Sequence, residues 1–546
     1  MVVGDVNRVE LSLSSFERMI TENNLYVDKT RMIEHFLSSA GAVQLVARQR
    51  RLGKSLNMDM LRCFLTDKED FRHLFKGLYI ESSPVWEKVN SAPVFYFDFK
   101  TLRPSIYKEQ IIDQVESHVY SLIDPENLNR LQKRKYERLF NNPDCVAESL
   151  FFITELAYEL TGKRSYLLID EYDKLLMDNY NADNYEEMRH FEAALLSAGL
   201  EGNPYLDKAL LTGVMRVSHE SLLSGLNNIV IFDVFDDSVY ADDYGLTEDE
   251  MAQICQLTGM NIDEARQWYN GIKIGGKPIY NIYSVMSHLF RKNKSYSCFW
   301  GRSGTMDAIV SLLNDSRKTV LARLLNREKV EVAMSSRISL KDLSDGASDN
   351  SFYSLLVQAG YLALDGMVPD KPSSAIVSIP NTELITVWKE FILERLYPDA
   401  PKIRTLFDNA TNIEIFSKDI EYFLGERLSY YYLATYDGEN KLKTYERVYH
   451  IFLLGILSAY EDSRFKYALS NRESGDGRYD VLVERSAANY IFEVKSCDAD
   501  EDLESQSHKA LAQIESKRYG ADLGKNKPLV KAGIAVCGKR CKVKCG

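Results

Sequence analysis

GRYDVLVERSAANYIFEVK, residues 477–495, carries one acid, Asp480, and then an acid and a lysine, Glu493 and Lys495, on the next apolar run. The spacing suits two adjacent strands joined by a bend over ERSAAN (484–489), which brings Asp480 and Glu493 together at one sheet edge. Glu493 and Lys495 are two residues apart and so face the same side of a strand. This grouping suits phosphodiester chemistry. Carboxylates bind Mg²⁺, which polarises a phosphate and lowers the pKa of bound water, and a lysine orients that water or neutralises charge. A bare E-x-K is common. The apolar YIF before it and the GRYD strand at this offset give it weight against a plain surface hairpin with an exposed ion pair.

The surrounding residues extend the pattern. Strands are expected near 465–471, 478–484 and 489–495, then a helix over 503–519 and a strand over 529–537. Gln513 and Tyr519 lie where they could reach the scissile strand. Glu446 opens the amphipathic stretch ERVYHIFLLGIL (446–457) and could add a metal-facing carboxylate, whereas His450 reads as a packing residue. Arg472, Glu473 and Arg478 flank the site, where arginines grip phosphate.

More than 400 residues earlier, RRLGKS (50–55) has the ending of a phosphate loop. Such a loop reads GxxxxGK[ST]: backbone N–H groups close around phosphates, the lysine reaches the terminal ones, and the hydroxyl meets Mg²⁺. Gly53, Lys54 and Ser55 are present, with Arg48 where the first glycine belongs. AVQLVAR (42–48) reads as a strand before it and SLNMDMLRCFL (55–65) as a helix after it, so the loop sits at a helix N-terminus that favours anions. YLLIDE (166–171) supplies the second half: Asp170 to hold Mg²⁺ through water and Glu171 to polarise the attacking water. In LLTGVMR (210–216), Thr212 could sense the terminal phosphate and Arg216 could stabilise it, here or across a subunit boundary.

Apolar runs at 42–48, 93–99, 165–170 and 208–214, with helical stretches such as 145–160 between them, predict an α/β fold with a parallel sheet covered on both faces. Beyond about residue 240 the pattern turns helical, opening on a capping box at Thr247 and Glu250. DLSDGASDNS (342–351) reads as a loop. The division expected is 1–235 for the phosphate-loop core, 236–400 for a mostly helical lid or linker, and 401–546 for a second α/β domain.

The chain has 546 residues, 45% hydrophobic and 27% charged, with net charge −12 and pI near 5.4. This balance argues against a surface coated in basic groups for nucleic acid and leaves room for a local basic groove. The last sixteen residues hold five Lys/Arg and no acid, and read as a final strand with a solvated end. The opening residues lack an apolar signal region, and the longest apolar stretch, 448–460, is too short to span a bilayer. Eight cysteines in this length are not a disulfide framework. Cys537, Cys541 and Cys545 lack a CxxC pair or a fourth ligand nearby, so a metal there is not expected. A cytoplasmic, membrane-free protein is expected.

Several segments resemble a bacterial family that joins an AAA-ATPase-like domain to a C-terminal PD-(D/E)XK nuclease domain. YVDKT (26–30), RQRRLGKS (48–55), LLIDEYDK (167–174), TGVMRVSHESLLSGLNN (212–228), WYNGIKI (268–274), YNIYSV (280–285), ESGDGRYD (473–480), FEVK (492–495) and ALAQIESKRY (510–519) carry the resemblance in order. It implies an arginine-rich phosphate loop in which Arg48 is ordinary and Arg48 and Arg51 join the nucleotide-binding set. This chain departs at Gln49, where the family has proline, and at Leu52, where it has phenylalanine.

The resulting expectation is a P-loop NTPase of AAA-like type, a helical middle region and a restriction-endonuclease-like α/β domain. Arg48, Arg51, Gly53, Lys54, Ser55, Asp170, Thr212 and Arg216 would bind ATP, with Glu171 catalytic. Asp480, Glu493, Lys495 and Gln513 would cut DNA or RNA. Metal ligands would be Ser55 and Asp170 at one site, and Asp480, Glu493 and Glu446 at the other, taking Mg²⁺ or, at the second, Mn²⁺. ATP would regulate cutting, and a homo-oligomer fits an AAA-type ATPase. The domain architecture alone suggests phage or mobile-element defence. The alternative is a nucleotide-dependent ATPase that binds nucleic acid or protein through an inactive nuclease fold.

Overall fold

In the computed structural model, the described residues are 1–11, 14–180, 182–216, 226–235, 239–291, 296–300, 309, 312–325, 327–335, 348–388, 413–427, 465–470, 473–485, 488–498, 501–521, 523, 527–537 and 540–546. The chain divides into two compact units. The first holds Met1–Leu312 and Lys329–Leu384, and the second holds Leu313–Glu328 and Ile385–Gly546.

The first unit is built on five parallel strands: β1 (Val43–Ala47), β2 (Val94–Asp98), β3 (Ser165–Asp170), β4 (Leu206–Gly213) and β5 (Ile229–Phe232). Their order across the sheet is β2-β3-β4-β1-β5. Every residue of β1 and β3 is buried. Near-continuous apolar runs of this kind are what a sheet covered on both faces requires. Helix α1 (Lys54–Leu65) leaves the end of β1 through Gly53, whose φ of 92° lies in the left-handed region that favours glycine. No side chain caps this helix, so its first N–H groups are open to an anion.

Helices α2 (Tyr107–Leu122), α3 (Ser149–Thr161) and α4 (Tyr185–Leu200) separate the strands that follow. Beyond the sheet, α5 (Glu248–Thr258) opens on the expected capping box, with Thr247 and Glu250 bonded reciprocally. Glu250 also pairs with buried Lys29 at 2.6 Å, tying this helix to the N-terminal segment. Alongside helices α6 (Ile282–Phe290) and α7 (Asp349–Gln358), the middle region carries a hairpin, β6 (Ile272–Ile274) with β7 (Lys277–Ile279). It also carries a three-stranded antiparallel sheet of β8 (Val330–Ala333), β9 (Ala363–Val368) and β10 (Lys371–Ser378).

In the second unit five strands form one sheet: β11 (Phe465–Ser470), β12 (Val481–Arg485), β13 (Asn489–Ser496), β14 (Leu529–Cys537) and β15 (Arg540–Cys545). Only β13 and β14 run parallel; the other neighbours are antiparallel. A parallel pair needs a crossover, and α9 (Leu503–Ser516) lies in it, capped by Asp502. Gly533 on β14 lets α9 come close: a Cβ there would lie 2.3 Å from Leu511 N and 2.4 Å from Ser507 O. Helix α8 (Ile413–Arg427) meets β15 through Glu421, which pairs with Lys542 at 3.1 Å. Among the described residues, no helix is long and apolar enough to cross a membrane.

Candidate functional site

The phosphate loop and the acidic strand end meet although β1 and β3 are not neighbours, because β4 lies between them. Asp170, at the end of β3, gathers three hydroxyl donors: Ser55 Oγ at 2.6 Å, Thr212 Oγ1 at 2.5 Å and Tyr96 OH at 3.2 Å. Ser55 starts α1 and Thr212 sits on β4, so three elements converge on one carboxylate. A serine hydroxyl touching a carboxylate beside an uncapped helix N-terminus is an all-oxygen donor set of the kind Mg²⁺ takes.

Lys54 Nζ donates to the carbonyls of Arg48 at 3.1 Å and Gln49 at 3.3 Å, and lies 3.6 Å from Glu171 Oε1. Glu171 has φ 55°, a strained conformation for a side-chain-bearing residue. Burial pushes its carboxyl up, but Lys54, Arg50, Lys174 and Lys100 outweigh burial and hold it below the usual range. The surrounding cations thus favour the ionised form of Glu171. A cavity of about 440 Å³ opens here. Its lining includes the polar groups of Gly53, Lys54, Ser55, Lys100, Lys174 and Glu171 and the apolar or aromatic side chains of Met19, Leu25, Tyr26, Val27, Tyr283 and Met286.

Two arginines of the loop are held by backbone carbonyls. Arg48 is fully buried, donates to the carbonyls of Ala47 (2.8 Å) and Phe232 (3.2 Å), and lies over the Tyr244 ring. It does not line the cavity. Arg51 lies at the cavity wall, where its guanidinium donates to the Phe299 carbonyl and, at 2.5 Å, to the Trp300 carbonyl, and packs over Tyr283. The amides of Phe299 and Trp300 are in turn held by the buried Glu383 carboxylate, at 2.6 and 2.9 Å. Arg216 pairs with Asp233 at 3.1 Å, and its N–H donates to Gln358.

Four residues of this region escaped the sequence reading. Arg50, Lys100 and Lys174 add cations around Glu171. Asp173 accepts from the N–H groups of Val214 (3.0 Å) and Met215 (2.7 Å), coupling the turn after β3 to the segment after β4. Burial, then the neighbouring Glu171, pushes its carboxyl up to about 6. The polar D-E-Y-D-K run after β3 was the available signal; which of its acids turn inward was not.

In the second unit Val481 registers with Phe492, so the pairing continues with Asp480 beside Glu493. Asp480 Oδ2 accepts from the Val494 N–H at 2.7 Å. Asp480 shares a side with Leu482, and Glu493 and Lys495 share one with Ile491. Leu482 and Ile491 pack with Ile514 of α9, so the three charged residues lie on the face that α9 partly covers. Gln513, on α9, donates through Nε2 to Glu493 Oε1 and lies 3.5 Å from the Tyr519 hydroxyl. Glu493 is buried. Burial raises the Asp480 carboxyl above its usual range, opposed by the Val494 N–H and by Lys495. Two adjacent carboxylates with a lysine alongside form a hard-oxygen site suited to a divalent cation. Arg478 lies on a short strand just before Asp480. Glu446, His450 and Arg472 lie outside the described residues.

Comparison with known proteins follows the same division. Residues 10–223 match a family described as predicted AAA-ATPase. Residues 444–545 match the PD-(D/E)XK nuclease superfamily. The chain is 26% identical over 507 residues, 90% of its length and 89% of the relative's, to an uncharacterized protein in the vnfD 5' region of Azotobacter chroococcum mcd 1.

Proposed function

Because the chain carries an AAA-ATPase-like domain and a PD-(D/E)XK nuclease superfamily domain, we propose that it is an ATP-regulated nuclease that cuts phosphodiester bonds of DNA or RNA. The observation that carries this reading is Asp480 at the end of the β12–β13 ladder, holding the Val494 N–H beside Glu493, with Lys495 on the same strand face and Gln513 on Glu493. A binding module has no need of that set. The corresponding organisation is an ATPase core over 1–235, a lid or linker over 236–400 and a nuclease domain over 401–546.

At the nucleotide site the N–H groups at the start of α1 receive the phosphates, and the apolar and aromatic lining of the cavity receives the base. Lys54 exchanges its carbonyl partners and Glu171 for the terminal phosphate. Freed of that lysine, Glu171 orients a water and takes its proton. Ser55 and Asp170 would hold Mg²⁺, which supplies charge neutralisation on the phosphates. At the nuclease site Asp480 and Glu493 would hold Mg²⁺ or Mn²⁺, Gln513 fixes the Glu493 rotamer, and Lys495 orients the attacking water. The acidic balance of the chain favours a second reading, an ATPase that grips nucleic acid or a partner protein without cutting it. A cytoplasmic homo-oligomer acting in defence against mobile elements is compatible with either reading.

The deciding experiment incubates pure protein with mixed labelled DNA and RNA, with Mg²⁺ or Mn²⁺, with and without ATP, beside Glu493→Ala. We expect cutting that disappears in the variant. Cutting of equal rate in Glu493→Ala overturns the assignment. No cutting under any condition, with ATP still turned over, replaces it with the second reading.

A further inference from the structure

Cys497 lies two residues beyond Lys495, and alternate residues of a strand share a side, so it continues the row Glu493–Lys495. Across the parallel pair, Ser496 registers with Val536. The Cys497 N–H donates to the Val536 carbonyl at 3.0 Å. The pairing therefore runs one step past the ladder and sets Cys497 beside Cys537. Neighbouring strands lie about 4.8 Å apart. That is inside the Cα–Cα range, roughly 4.4–6.8 Å, which a disulfide spans.

The two thiols have different surroundings. Cys537 is partly exposed and sits opposite Arg540, whose Nη2 is 3.5 Å from its Sγ. Cys497 is 1% exposed. Burial, and then Cys537, pushes its thiol up to about 11. One accessible sulfur beside a cation and one sheltered sulfur next to it are the arrangement of an attacking and a resolving cysteine. All eight cysteines carry unbridged thiols.

We propose that Cys497 and Cys537 are a modification site, at which hydrogen peroxide oxidises the pair to a disulfide that pins the end of β13 next to Lys495. The Cys537 sulfur attacks one peroxide oxygen; the O–O bond breaks, the departing oxygen takes the thiol proton and leaves as water, and Cys537 becomes a sulfenic acid. The Cys497 sulfur then displaces that hydroxyl, and its proton leaves with it as water. Two thiols lose two electrons, and the peroxide is reduced to two waters. This chemistry stands apart from the nuclease reading and needs no cutting to be observed.

The test treats the full chain with hydrogen peroxide, blocks the remaining thiols with an alkylating agent after denaturation, and maps the peptides by mass spectrometry. Two fewer of the eight thiols are expected to alkylate. A Cys497–Cys537 peptide pair that dithiothreitol separates is expected with them. Cys537→Ser and Cys497→Ser remove the linked pair. Cys541→Ser keeps it, because Cys541 lies on β15 with its sulfur toward the Glu421 carbonyl. The proposal is overturned if Cys497 in the wild-type protein still alkylates while Cys537 is oxidised alone. A bond from Cys537 to Cys541 overturns it equally. The mapping on the wild-type chain decides without any variant having to fold.

Discussion

At the scale of the residue, the sharpest feature is the number of acids gathered behind the phosphate loop. Asp170 is satisfied by three hydroxyls, and Glu171 by cations. Asp173 is buried, holds the Val214 and Met215 N–H groups, and neighbours Glu171. Glu192 on α4 is also buried, neither of its carboxylate oxygens has a hydrogen-bond partner, and burial followed by Asp173 pushes its carboxyl well up. For Asp173 the sign is clear. Its ordinary carboxyl titrates near 3.8 and the folded one at about 6, so the folded state disfavours the charge. That cost is fully present above pH 6 and is relieved as pH falls from 6 toward 3.8, where the native carboxyl protonates first. Asp173→Asn keeps an oxygen for the Val214 and Met215 N–H groups. It should raise the melting temperature at pH 7.5 by a few degrees, with a ceiling of about 3 kcal/mol. The gain should fade below about pH 4, and a gain of equal size at both pH values would sink the account. That Lys54, Ser55, Asp170, Glu171 and Thr212 sit at strand ends or a helix start was legible in the sequence. The directions of Arg48 and Arg51 were not. Arg48 is held by the carbonyls of adjacent Ala47 and distant Phe232, and Arg51 by those of distant Phe299 and Trp300.

At the scale of the element, the nuclease-like face depends on how close α9 comes to the sheet. Gly533 is registered with Glu493 in the parallel pair, and α9 backbone fills the space a Cβ would need. This approach puts Gln513 on Glu493. Gly533→Ala must lift α9, because backbone atoms rather than a flexible side chain stand in the way. We expect a loss of about 1–3 kcal/mol in the second unit. We also expect cutting to fall by an order of magnitude or more, as Gln513 leaves Glu493. Wild-type cutting in a fully folded Gly533→Ala protein would show that the contact is incidental. The apolar strands were readable from their runs of Val, Leu and Ile. The sheet of β8, β9 and β10 was not, since KPSSAIVS (371–378) has little apolar character and gains its place by pairing on both sides. Nor was β15, where RCKVKC reads as a charged tail until β14 provides a partner.

At the scale of the whole molecule, the proposed regulation requires that the nucleotide state reach the nuclease site. Glu171→Gln should hold ATP without turning it over, and Lys54→Ala should leave the site without a grip on phosphate. If ATP gates cutting, these two full-length proteins, compared at saturating ATP, should cut the same substrate at rates that differ several-fold. Equal rates would show that the two activities are independent. By itself the sequence determined the local chemistry: a strand, loop and helix carrying GKS, an acidic strand end, and two strands joined by a bend that bring Asp480 and Glu493 to one sheet edge. Period-2 and period-3.6 patterning and turn residues act over a few positions, so those features needed no distant partner. Only the tertiary structure decided the strand order that sets β4 between β1 and β3 and closes Ser55, Asp170 and Thr212 into one site. It likewise decided that Arg48 is buried and that Cys497 meets Cys537. These outcomes depend on which strands pair across long stretches of chain and which side chains find carbonyls when they do, and no local pattern of residues encodes either.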